Sequence, residues 1–154
     1  MARGAPDWTL GVNILMQQLD QLIQRPKYGI CAPASFAGYV GANTTTLVAS
    51  VSGVGIIYQV FFYVQSVASQ ANDYFIIEID GIQIPSATFL QAIQFNSVQQ
   101  GNAATHMDCF DEVNFRYSGS IGYGITFESS VKAYYKETHG NTPYVSGMVL
   151  YATI

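Results

Sequence analysis

The sequence predicts an all-β antiparallel sandwich entered through one short N-terminal α-helix. Two observations carry this. From residue 44 onward the chain runs through β-branched and aromatic stretches, separated by Gly, Asn, Asp and Pro at spacings typical of a sandwich. Strands do not alternate with helical segments, so a parallel βαβ sheet is disfavoured. At 154 residues the chain is long enough for one ordinary core. The expected division is an arm and helix over 1–26 and a single sandwich domain over 27–154.

The helix is expected over Asp7–Gln24, "DWTLGVNILMQQLDQLIQ", capped by Asp7 or Thr9 and stopped at Arg25-Pro26. Val12, Leu15, Leu19 and Leu22 repeat with 3-4-3 spacing, a seam that suits either the chain's own sheet or copies of the same helix. Lys27–Asn43, rich in Gly, Ala and Pro, reads as an irregular connector holding at most one short strand. Strands are then expected over Thr44–Ser52 and Ile56–Val67. In the second, the even positions Ile56, Tyr58, Val60, Phe62 and Val64 are all apolar and are assigned to the core. Its odd positions include Phe61 and Tyr63, so both faces are covered, as in a sandwich centre or a subunit contact.

Tyr74–Ile84 carries the strongest local signal, Asp80-Gly81 between alternating apolar residues, which predicts a two-residue hairpin. Helix and strand fit Ser86–Gln100 about equally, and Gly101–Asp111 reads as a loop. Glu112–Tyr117 alternates, with Val113, Phe115 and Tyr117 expected inward. Ser118–Gly124 reads as a glycine-rich turn. Ile125–Lys136 is expected as one half-buried strand, with Ile125, Phe127, Val131, Ala133 and Tyr135 on the core face. Tyr144–Ile154 closes the chain as a strand apolar on both sides.

Composition bounds the function. The chain is 49% hydrophobic, 14% aromatic and only 10% charged, against about 25% charged in an average domain. Its polar surface is therefore built from Gln, Asn, Ser, Thr and Tyr, which are cheaper to desolvate against a partner than Lys and Glu. Net charge is −4, and the six basic residues are scattered, so the footprint of a nucleic-acid binder is missing. The opening "MARGAPDWTL" lacks the basic-then-apolar run of a signal peptide. Apolar runs break well before the ~18 residues of a spanning helix, so no membrane insertion is expected.

The densest chemical cluster is His106, Asp108, Cys109, Asp111 and Glu112 in "HMDCFDE". These are metal-ligating types, but no paired ligand spacing fixes a coordination geometry, and a solvated acidic loop is the preferred reading. Asp73, Glu78, Asp80 and Glu128 are the remaining strand-side carboxylates, with Glu78 and Asp80 expected in solvent. Cys109 with His106 or His139 lacks the surroundings of a catalytic thiol. No enzyme, metal or cofactor is expected. Cys31 and Cys109 are expected as two buried thiols, with a disulfide between them the lesser option. Of the eleven tyrosines, Tyr134 falls on the polar face of its strand and is expected to be exposed, a candidate ligand contact.

The strand "GITFESSVKAYYKET", the Gly-Asn-Thr-Pro turn and the terminal strand "YVSGMVLYAT", behind a short helix, resemble the small structural proteins of virus particles, especially bacteriophages. The resemblance implies a jelly-roll-like sandwich and a capsid-associated, decoration, spike or tail subunit. It implies a homo-oligomer, a trimer or higher ring, bound to other virion proteins, made in the host cytoplasm and residing in the virion. The contact residues expected between copies are Val12, Leu15, Leu19, Leu22, Phe61 and Tyr63. The competing class is a receptor- or carbohydrate-binding sandwich that uses exposed tyrosines.

Overall fold

The structure is a computed structural model that describes Leu15 and residues 29–154, other than 85–86, 99–104 and 122–123. The expected N-terminal helix lies outside the described residues except for Leu15, which is helical and 65% exposed.

Two antiparallel sheets face each other. The larger follows the order β1 (Ala32–Tyr39), β10 (Tyr144–Thr153), β3 (Gly55–Gln65), β7 (Arg116–Ile121), β6 (Thr105–Asp111), with β8 (Ile125–Phe127) pairing the start of β3. The smaller runs β2 (Thr45–Ser52), β9 (Ser130–Lys136), β4 (Tyr74–Ile79), β5 (Ile82–Gln83). The chain crosses between sheets after β1, β2, β3, β5, β8 and β9. One helix, α1 (Phe89–Val98), packs beside β6.

Several elements sit where the residue pattern put them. Asp80 and Gly81 both have positive φ, 52° and 83°, the two-residue turn that hairpins favour. Val131, Ala133 and Tyr135 are buried, while Lys132 and Tyr134 on the opposite face are half-buried. "GIIYQVFFYV" begins β3, which lies between β10 and β7 in the larger sheet.

Other expectations are corrected. Opposite Leu150–Tyr151 the register of β3 slips by one residue, leaving Tyr58 unpaired by β10. Such a bulge reverses which parity points inward. Val60, Phe62 and Val64 are buried as expected, but before the bulge it is Ile57 that is buried, not Ile56 or Tyr58. The supposed connector contains the eight-residue β1, an edge strand on which Pro33 is tolerated. The supposed loop over 101–111 contains β6. Residues 112–115 form the β6–β7 turn, so Val113 is 86% exposed and Phe115 adopts a φ of 51°. The "glycine-rich turn" begins with the last four residues of β7. Ile125–Lys136 is split at Glu128–Ser129, where the chain changes sheets. The ambiguous segment is helical, started by a capping box. The Thr88 hydroxyl accepts from the Gln91 N–H at 3.1 Å, and the Gln91 side chain accepts from the Thr88 N–H at 3.1 Å.

The core is an aromatic stack. Phe62 lies 4.5 Å from Phe75 and 5.4 Å from Phe89, centroid to centroid and nearly parallel. Phe36 stacks on the other side of Phe75, while Tyr117 and Tyr135 tilt against Phe89. Room for these rings comes from one inward row across the larger sheet, Phe36–Gly147–Phe62–Gly119 in register. A Cβ on Gly119 would stand 2.8 Å from the tip of the Phe62 ring, and one on Gly147 would meet the Phe36 ring and the Phe61 carbonyl. Gly147→Ala is accordingly expected to destabilise the fold by about 1–3 kcal/mol, the usual cost of overpacking. Gly38→Ala, where a Cβ meets nothing within 4 Å, is expected to change stability by no more than about 0.5 kcal/mol. Urea denaturation of the two variants checks both figures.

Candidate functional site

The residues of "HMDCFDE" do not converge. A bulge between Met107 and Cys109 puts His106 and Cys109 on the outer face of the edge strand β6. His106 and Asp108 are 3.6 Å apart and exposed. Asp111 accepts from the N–H groups of Val113 and Asn114 at 2.9 and 3.0 Å, and so shapes the turn. Glu112 accepts from the Tyr117 hydroxyl at 2.7 Å. Cys31 and Cys109 are both free and both exposed, which corrects the expectation of buried thiols. Cys109 lies on β6 and Cys31 directly precedes β1, at opposite edges of the larger sheet. Four strand spacings, about 19 Å, separate those edges, far beyond disulfide reach within one chain.

Of the carboxylates expected in solvent, Asp80 is exposed and Glu78 half-buried, and both also make structural contacts. Glu78 meets Lys132 at 2.9 Å across β4–β9. Asp80 accepts from the N–H groups of Glu128, Ser129 and Ser130 at 2.7–3.0 Å and from the Ser129 hydroxyl, clamping the β8–β9 sheet change. These bonds, led by the Glu128 N–H, hold its carboxyl at about 2, below the ordinary 3.8.

A second cluster, which sequence reasoning missed, joins Asp73, Glu137 and His139, whose ligand atoms lie within 4.8 Å of one another. Buried Asp73 accepts from the Tyr135 hydroxyl, the Thr138 N–H and hydroxyl, and pairs with His139 Nδ1 at 3.0 Å. Burial and the neighbouring Asp73 carboxylate push the Tyr135 phenol far up, so it remains a donor. Glu137 is 2% exposed and accepts four backbone N–H groups, from Asn43, His139, Gly140 and Asn141. Burial alone would raise its carboxyl; the four N–H groups outweigh that and hold it below its ordinary value. A cation placed here would face those same N–H dipoles, so the set fits a structural clamp on the 137–141 turn better than a metal centre. The signal available beforehand was the "KETHGN" turn itself, an acid followed by turn residues that offer N–H groups.

The outer face of the larger sheet carries the expected contact residues Phe61 and Tyr63, both half-buried. Three cross-strand rows run from its middle to one end: Ser35–Met148–Phe61–Ser120–His106, Ala37–Ser146–Tyr63–Ser118–Cys109 and Tyr39–Tyr144–Gln65–Arg116–Asp111. Formal charge enters only in the last, at Arg116 and Asp111. Val12, Leu19 and Leu22 lie outside the described residues. Tyr134 is half-buried on the outer face of the smaller sheet, between Leu47 and Ile76.

At one end of the larger sheet's outer face an open groove of about 390 Å3 is lined by Tyr39, Gln65, Ser66, Val67, Thr142 and Tyr144. Tyr39, 78% exposed, meets Tyr144 edge to face with ring centroids 5.4 Å apart. Tyr63 donates its hydroxyl to Gln65 Oε1 at 3.1 Å, which orients that amide. No helix among the described residues is long and apolar enough to cross a membrane. The chain matches no protein-family model, and it matches no curated protein in sequence.

Two outcomes are expected in thermal melts. Stability falls as pH drops from about 3.8 to about 2, because the fold depresses the Asp80 carboxyl and protonation removes what ionisation contributes; Glu137 acts in the same direction. Asp80→Asn flattens this acid limb and lowers the melting temperature at neutral pH. Zinc or calcium, added to the chelator-treated protein, leaves the melting temperature unchanged; a rise lost in Glu137→Gln would show a metal centre instead.

Proposed function

We propose that this chain is a non-enzymatic structural subunit that assembles with copies of itself, of the kind found in virus particles, and that its sandwich is a jelly roll. The strand order supports the second point. β1-β10-β3-β7 lies opposite β2-β9-β4-β5, and successive strands from β1 to β4 alternate between the layers. Such alternation is what the double Greek-key path of jelly rolls, which recur in capsid and lectin domains, would give.

The observation that carries the assembly reading is the low-charge outer face of the larger sheet. Met148 is 40% exposed beside half-buried Phe61 and Tyr63, with small hydroxyls on either flank. Small hydroxyls desolvate at modest cost, and apolar area buried there contributes about 25 cal/mol per Å2 before the costs of association. The described cations sit beside anions or rings: Lys132 on Glu78, Lys136 over Tyr74, Arg116 near Asp111. This supports a protein partner over a nucleic acid. The expected helix seam of Val12, Leu15, Leu19 and Leu22 would add a second contact, in a trimer or larger ring, with other virion proteins as further neighbours.

Light scattering tests the reading. The intact chain is expected to run as a stable oligomer; Met148→Glu combined with Phe61→Glu is expected to reduce it to a folded monomer, and removal of residues 1–24 to weaken it. A monomeric wild-type chain at high micromolar concentration would overturn the proposal. A second reading, a carbohydrate- or receptor-binding module, is favoured by the tyrosine-lined groove.

A further inference from the structure

We infer that the groove between Tyr39 and Tyr144 is a binding site for a short neutral saccharide. The inference deepens the second reading and rests on it.

The lining selects the ligand class by its chemistry. Tyr39 and Tyr144 stand edge to face, an interplanar angle of 71°. In such a pair the contact covers at most one face of one ring, so the pairing itself does not use up the phenol surface. Tyr39 is 78% exposed, so its phenol is open to a flat apolar surface brought by a ligand. Sugar rings offer such a surface on their C–H side, together with hydroxyls around the rim, and a phenol has both an apolar face and a polar tip to match.

The remaining lining is polar but uncharged. Gln65, Ser66 and Thr142 supply an amide and two hydroxyls. Gln65 Oε1 is engaged by the Tyr63 hydroxyl, so the amide is oriented with its N–H groups left to donate. A purely apolar ligand would desolvate these groups without replacing their hydrogen bonds. A phosphate, carboxylate or ammonium ligand would find no counter-charge among the lining residues. Arg116, in register with Gln65, is not among them and lies near Asp111. The volume of about 390 Å3 lies within the range of about 300–1,000 Å3 typical of small-molecule sites. Its openness to solvent fits an oligosaccharide that enters from the side better than an enclosed cofactor.

The groove uses backbone that is already fixed. Tyr39 and Tyr144 are a register pair at the β1–β10 end, and Gln65 continues the same row on β3. The three side chains therefore sit on paired strands, and binding orders little that is not ordered beforehand.

The test is a glycan array of neutral and acidic saccharides probed with the intact chain, followed by saturation-transfer NMR on the hits. Binding of neutral glycans, lost or weakened by at least about tenfold in Tyr39→Ala and retained in Tyr58→Ala, is the expected result. Tyr39 is exposed, so its truncation leaves the fold intact, and a wild-type far-UV spectrum checks this. No binding across the array, hits confined to acidic glycans, or affinity unchanged in Tyr39→Ala would each overturn the assignment. Neutral-glycan binding that is unchanged in Tyr39→Ala would overturn the groove alone, whereas no binding across the array would overturn the second reading with it.

Discussion

The fold depends on the fit of a phenylalanine ring against a glycine. Two sheets packed face to face leave a layer about 10 Å thick to be filled, and here the filling is Phe36, Phe62, Phe75, Phe89, Tyr117 and Tyr135. Rings of that size need relief on the sheets that hold them. Gly147 and Gly119 provide it by alternating with Phe36 and Phe62 along one row. The row fixes the register of β1, β10, β3 and β7 at once, because a slip by one residue would set a side chain where a ring tip now lies. Helix α1 belongs to the same unit: its first residue, Phe89, is the ring that joins Phe62 to both buried tyrosines.

Where the aromatic layer ends, carboxylates take over. Asp80 holds the point at which the chain leaves β8 for β9, Glu137 holds the turn after β9, and Asp111 shapes the β6–β7 turn. Each satisfies backbone N–H groups that no strand pairs, a use of charge that is stronger per bond than a neutral contact. In a chain with ten acidic residues, this accounts for three of them before any question of catalysis arises.

Much of this was legible in the residues. Asp80-Gly81 announced its turn, and Val131, Ala133 and Tyr135 alternated cleanly with Lys132 and Tyr134. What resisted reading had local physical causes. The bulge at Tyr58 shifts parity within an otherwise regular run, and bulges leave no compositional mark in so apolar a strand. Val113 and Phe115 alternate as a strand would, yet the Asp111 side chain captures the N–H groups of residues 113 and 114 and bends them into a turn. Thr88 and Gln91 did carry the helix signal, three residues apart, but the β-compatible residues after them obscured it. Of the candidate site, Phe61 and Tyr63 were visible as a covered second face. The Tyr39–Tyr144 pair was not, because it joins a strand read as connector to one more than a hundred residues later.

The four outer strands of the two sheets share a property that bears on how copies can meet. β1 carries Pro33, which has no N–H to offer; β2 is bulged between Leu47 and Ala49; β5 is two residues long; β6 is bulged and bears His106 and Asp108. Each is a recognised means of stopping a sheet from growing sideways. A further strand from another chain finds no clean ladder to join at these four edges. Open-ended, fibre-like stacking edge to edge is thereby disfavoured. A protein so guarded tolerates being crowded with its own kind.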